Sequence, residues 1–108
     1  LITDGVVELV ENYAIDGVHF DDYFYPYPVY GDDGKLAQFD DTEEYEKYGA
    51  DFDNIADWRR DNINKIIRSV YDTVHETDPE CVFGVSPFAI WQNNNGENGG
   101  SDTNGFEA

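Results

Sequence analysis

Apolar side chains recur at helical spacing over residues 3–13. Val6, Val7, Leu9, Val10 and Tyr13 repeat there while Glu8 and Glu11 face water, which predicts an amphipathic helix capped by Thr3 or Asp4. The period then changes. Residues 14–22 alternate, with Val18 and Phe20 on one face and Gly17, His19 and Asp21 on the other, and so read as a strand. A second helix starts at Asp53 or Asn54 and runs to Thr77. Ile55, Ile63, Ile66, Ile67, Val70, Tyr71 and Val74 make its apolar stripe, and Pro79 ends it. Residues 81–85 form a second short strand, Phe83 and Val85 alternating with Val82, Gly84 and Ser86. Beyond Trp91 the chain is a polar loop rich in Asn and Gly.

Between the first strand and the second helix lies a long aromatic and then acidic stretch. Tyr23, Phe24, Tyr25, Tyr27 and Tyr30 interleave with Pro26 and Pro28, and Gly31-Asp32-Asp33-Gly34 is a turn signal able to join a small hairpin. A loop this long is uncommon inside a compact domain unless it carries function, which makes it a candidate binding loop. The order is thus helix, strand, long loop, helix, strand, loop. Strands alternating with helices argue for an α/β fold with a parallel sheet and right-handed crossovers. Two strands do not close such a core, and a full (β/α)8 TIM barrel takes about 250 residues. Residues 1–108 therefore read as one fragment of a single barrel domain.

Composition narrows the partner. The 108 residues hold 24 acidic and 6 Lys or Arg side chains, a net charge of −18, which repels nucleic acid and anionic membrane surfaces. A neutral or cationic partner such as a sugar, a peptide or a metal ion remains. With 40% hydrophobic and 16% aromatic residues the chain can build a core, so wholesale disorder is excluded. No apolar run approaches the roughly 20 residues of a membrane helix. Cys81 is the only cysteine and reads as a buried strand thiol.

In α/β folds, chemistry gathers at the carboxyl ends of the strands. Asp21 stands at such an end with Gly17 and His19 on its face. Its carboxylate is either a nucleophile or stabiliser of an oxocarbenium-like transition state, or a cap for loop N–H groups. Asp22, one residue on, faces the helix layer and reads first as a loop cap. His19 either bonds a neighbouring strand residue or contacts substrate. Neither it nor any other group offers His or Cys ligands at zinc or iron spacing, and the acidic loop lacks the calcium-loop pattern, so no metal or cofactor is expected. Tyr23, Tyr25, Tyr27 and Trp91 can stack on sugar rings, although most of Phe24, Tyr27 and Tyr30 read as packing, as does Trp58. Of Arg59 and Arg60, one pairs with a nearby Asp and the other is a candidate substrate contact. Asn62 and Ser86 join the candidates by their place near the strand ends. The acid run over residues 32–61 reads mostly as a solvated surface.

Four ordered segments carry a resemblance. These are Asp16-Gly17-Val18-His19-Phe20-Asp21-Asp22-Tyr23-Phe24-Tyr25-Pro26, Trp58-Arg59-Arg60-Asp61-Asn62, Phe83-Gly84-Val85-Ser86-Pro87-Phe88 with Trp91, and Gly100-Ser101-Asp102-Thr103-Asn104-Gly105. Together they resemble the glycosyl hydrolase-like 10 family of bacterial barrel proteins. The resemblance implies a TIM-type barrel, exported and often lipid-anchored, that cleaves glycan strands including peptidoglycan stripped of its peptides. The first segment is also similar to the Asp-Gly-Phe-Arg-x-Asp strand of amylase-like barrels, where the final Asp is the nucleophile. Asp21 falls on that place, and His19 stands where the Arg would be.

The expectation is a secreted or envelope glycoside hydrolase with Asp21 as nucleophile or stabiliser. His19, Asp22, Tyr23, Tyr25, Arg59, Asn62, Ser86 and Trp91 would bind an oligosaccharide or polysaccharide. Ser86 ends the second strand where a second acid is wanted, and Glu97 and Asp102 are weak substitutes. The partner acid is therefore expected outside these residues, and the fragment alone should be inactive. A non-catalytic carbohydrate-binding barrel is the alternative, and an acidic scaffold for protein contacts a third reading.

Overall fold

The computed structural model describes residues 1–21, 25–26, 29–37 and 39–87. In chain order they form α1 (Ile2–Asn12), β1 (Gly17–Asp21), β2 (Val29–Tyr30), β3 (Leu36–Ala37), α2 (Thr42–Tyr48), α3 (Ile55–Thr77) and β4 (Val82–Ser86). They group into two compact units, residues 1–21 with 62–87 and the described residues of 25–61.

In the first unit β1 and β4 pair in parallel, Gly17 opposite Val82 and Asp21 opposite Ser86. The parallel α/β arrangement expected from the alternation is therefore present in these residues as a two-stranded sheet. Val18, Phe20 and Phe83 turn to one side and pack on a core of Val6 and Val10 from α1, Val70 and Val74 from α3, and Cys81. The Phe20 and Phe83 rings meet edge to face at 5.4 Å. Val70 and Val74 are fully buried, and each such side chain stabilises the unit by about 1.5–3 kcal/mol. Within each helix the two core valines are four residues apart, which puts both on one face.

Leu9, Tyr13, Ile66 and Tyr71 lie exposed beside the buried stripe residues in this chain, which has no further elements of its own to cover them among the described residues. Tyr71 instead lies against the ring of His75 one turn on, at 4.2 Å. α1 begins at Ile2 without a side-chain cap, so Thr3 and Asp4 sit within its first turn. α3 stops where Pro79 cannot continue it, and the Asp78 carboxylate accepts the Glu80 N–H at 3.0 Å. Cys81 precedes β4 rather than opening it and is buried as expected.

In the second unit the Gly31–Gly34 turn joins β2 and β3 antiparallel, as the sequence signalled. Gly34 takes φ +72°, which suits glycine, and the Asp33 carboxylate accepts the Lys35 N–H at 3.0 Å. The short helix α2 was not legible in the sequence. Its seven residues carry only Tyr45 and Tyr48 as large apolar side chains, too few for a period. Contacts outside the helix hold it. The Tyr45 ring lies 5.6 Å from that of the buried Trp58, and its hydroxyl donates to the Phe52 carbonyl at 3.0 Å. Asp40 Oδ1 accepts from both the Thr42 hydroxyl (2.8 Å) and the Thr42 N–H (3.2 Å), and these bonds hold the Asp40 carboxyl below its ordinary range.

The long helix α3 starts on a reciprocal cap. Asn54 accepts the Asp57 N–H at 2.9 Å and donates its own amide to the Asp57 carboxylate at 2.7 Å. The first bond is an N-cap and satisfies one N–H that a helix start otherwise leaves unpaired, while the second ties the two side chains together.

Candidate active site

Because the β1–β4 pairing is parallel and in step, residues opposite one another share a face. Val18 and Phe20 with Phe83 form the core face, which leaves Gly17, His19 and Asp21 with Val82, Gly84 and Ser86 on the other. The split is the one the alternation predicted. His19, Asp21 and Ser86 are all exposed, and Asp21 and Ser86 are the last residues of their strands.

One cross-strand bond organises this face. Ser86 Oγ lies 2.9 Å from His19 Nε2, between residues 67 apart in sequence. The imidazole reaches Ser86 by passing over Gly84, its partner in register. A Cβ at Gly84 would stand 3.2 Å from His19 Nδ1, so the missing side chain is what gives the ring its place. Of the two readings left open for His19, the structure brings it to a neighbouring strand residue. Its contact with substrate is a separate matter. Gly84 was not singled out in the sequence, although a small residue inside an alternating strand is a recognised sign of close approach.

The candidates of the second unit form a different cluster. Arg59 grips Asp41 through two of its nitrogens, with Nε to Oδ2 at 2.9 Å and Nη2 to Oδ1, and Nη2 also donates to the Phe39 carbonyl at 3.2 Å. The bond to Asp41 raises the Arg59 pKa further above its already high value. The guanidinium lies 5.5 Å from the centre of the Tyr25 ring, which in turn meets Phe39 edge-on at 5.9 Å. Arg60 pairs with Asp57, which together with Asn54 holds the Asp57 carboxyl below its ordinary range. Only one of the two arginines was expected to pair with an aspartate, and both do. Asp41 is also an exception to the solvated acid run. It is 4% exposed, and sequence alone gave no sign of it because its partner lies 18 residues away.

Asn62 sits half-buried on α3 in the first unit. Asp22, Tyr23 and Trp91 lie outside the described residues, as do Glu97 and Asp102. Among the described residues no three His, Cys, Asp or Glu side chains gather as a metal site. No described helix is long and apolar enough to cross a membrane.

A strand-end carboxylate beside a pinned imidazole, on the polar face of a parallel sheet, suits acid–base or nucleophilic work on a sugar. In comparison with known proteins, residues 1–106 match the family described as glycosyl hydrolase-like 10. The chain belongs to that family. It is 45% identical over 103 residues to glycosyl hydrolase YngK of Bacillus subtilis strain 168, covering 94% of this chain and 19% of that protein. It is 43% identical over 107 residues to glycosyl hydrolase DigH of Escherichia coli O6:H1, covering 99% of this chain and 23% of that protein. With DigH of Escherichia coli K12 the identity is 42% over 107 residues. The chain thus spans 19–23% of the length of these relatives.

Proposed function

We propose that this chain is the part of a (β/α)8 glycoside hydrolase that supplies the carboxylate acting at the sugar's anomeric centre, with glycan strands of the peptidoglycan type as substrate. The observation that carries the reading is the position of Asp21. It is the last residue of β1, exposed, on the polar face of the sheet and opposite Ser86.

Hydrolysis of a glycosidic bond passes through an oxocarbenium-like transition state. A carboxylate at the sugar face either attacks the anomeric carbon or stabilises its developing positive charge. Asp21 takes that part. The second carboxyl protonates the leaving oxygen and comes from a strand outside these 108 residues. It belongs about 5–5.5 Å from Asp21 in a retaining enzyme and about 6.5–9.5 Å in an inverting one. His19 lines the same face as a sugar contact. Tyr25 offers a ring held by Phe39 and Arg59, and Arg59 supports that ring rather than reaching substrate. Asn62, Asp22, Tyr23 and Trp91 complete the proposed sugar contacts. The proposal includes export from the cytoplasm, an expectation drawn from the family resemblance that cell fractionation tests.

The deciding experiment is Asp21→Asn in the full-length protein. Glycan cleavage should be abolished while circular dichroism and glycan binding persist. Retained cleavage would move the role to another acid. A parent protein that binds glycans without cleaving any would instead be a carbohydrate-binding barrel.

A further inference from the structure

Ser86 was read from sequence as a sugar contact, but its geometry assigns it another task. Its hydroxyl is 2.9 Å from His19 Nε2, and the ring crosses β4 where Gly84 leaves room. A serine hydroxyl either donates to a bare Nε2 or accepts from Nε2–H, and in both cases that nitrogen is occupied. The other nitrogen, Nδ1, is on the Gly84 side, 3.2 Å from where a Cβ would stand. The imidazole is therefore bonded at one end and lies over the space that a side chain at residue 84 would fill. Its neighbour on the same face is Asp21, two residues along β1 and about 6.6 Å away at the usual strand rise.

We propose that Ser86 and Gly84 are positioning residues that fix the His19 imidazole beside Asp21. Ser86 then acts on the sugar through His19 and does not contact the substrate itself. An exposed histidine on an open sheet face otherwise has several rotamers, and a ring displaced by 1 Å in an active site costs up to about 100-fold in rate. The kinetic part of this inference rests on the glycosidase reading; the geometric part does not.

The test therefore has two arms, both in the full-length protein. Diethyl pyrocarbonate acylates accessible, unprotonated imidazole nitrogens, and mass spectrometry reads the His19 and His75 peptides separately. Ser86→Ala should speed labelling of His19 several-fold, Ser86→Thr should leave it at the parent rate, and His75 should not change. Gly84→Ala should also speed it, because the new Cβ presses on Nδ1. Equal labelling of His19 in parent, Ser86→Ala and Gly84→Ala would overturn the proposal whether or not the protein cleaves glycans. In the kinetic arm, Ser86→Ala should lower kcat/KM about tenfold, with Ser86→Thr restoring it, and should have no further effect when His19 is already replaced by Ala. A full tenfold loss on adding Ser86→Ala to His19→Ala would make Ser86 a direct sugar contact and overturn the positioning role.

Discussion

Asp41→Asn would remove the negative charge that Arg59 grips, and its effect follows from the bonds. The Asp41 side chain is 5% exposed and that of Arg59 17%. Two guanidinium nitrogens bond the carboxylate and one of them also bonds the Phe39 carbonyl. An exposed ion pair contributes about 0–1 kcal/mol, whereas removing one partner of a fully buried pair costs about 3–5 kcal/mol. This pair lies between, buried on the acid side and partly wetted on the base side. One charge-assisted bond lost and one kept through the amide oxygen give an expected cost of about 2–3 kcal/mol. Arg59→Ala should cost at least as much, since it strands a buried carboxylate. Arg59→Lys should cost about 1–2 kcal/mol because an ammonium cannot reproduce the two-pronged grip.

Hydrogen-exchange mass spectrometry of peptides covering residues 39–48 in the full-length protein reads the local opening directly. A loss of 2–3 kcal/mol corresponds to exchange faster by about 30- to 150-fold. Peptides of β1 and β4 should not change, being packed in the other compact unit. A change in residues 39–48 below about threefold would mean that the pair is a by-product of the loop's conformation and not its support.

Two further outcomes test the local structure. Since Arg60 and Asn54 hold the folded-state carboxyl of Asp57 below its unfolded value, the stabilisation is present above the unfolded carboxylate pKa of about 3.9 and is lost as pH falls through the folded value. Exchange protection of the first turn of α3 should thus fall as the pH drops below about 4, and this added loss should disappear in Asp57→Asn. At Gly17 a Cβ would stand 2.9 Å from the Val82 carbonyl oxygen, whereas at Gly5 in α1 it meets nothing within 4 Å. Gly17→Ala should therefore destabilise the first unit by about 1–3 kcal/mol and Gly5→Ala stabilise α1 by about 0.5–1 kcal/mol, with exchange protection of α1 and β1 as the readout. Opposite signs are required; two losses of similar size would refute the steric argument.

What could be read along the chain was whatever repeats locally. The period-two alternation in β1 and β4 separated Val18, Phe20 and Phe83 from His19, Asp21 and Ser86, because a strand turns successive side chains to opposite faces wherever it lies. The long α3, the turn at Gly31–Gly34 and the stop at Pro79 were equally local. The partners were not. Asp41 looked like one more solvated acid until Arg59, 18 residues on, was brought to it. α2 had no period of its own and exists through Tyr45 against Trp58 and Phe52. Leu9, Ile66 and Tyr71 are as apolar as their buried neighbours, and only the packing seam decides which of them is covered. The bond between His19 and Ser86, 67 residues apart, required the register of their two strands. Sequence thus determined which faces these elements have, since that follows from backbone geometry, while tertiary structure decided what each face meets, since that depends on where distant segments come to lie.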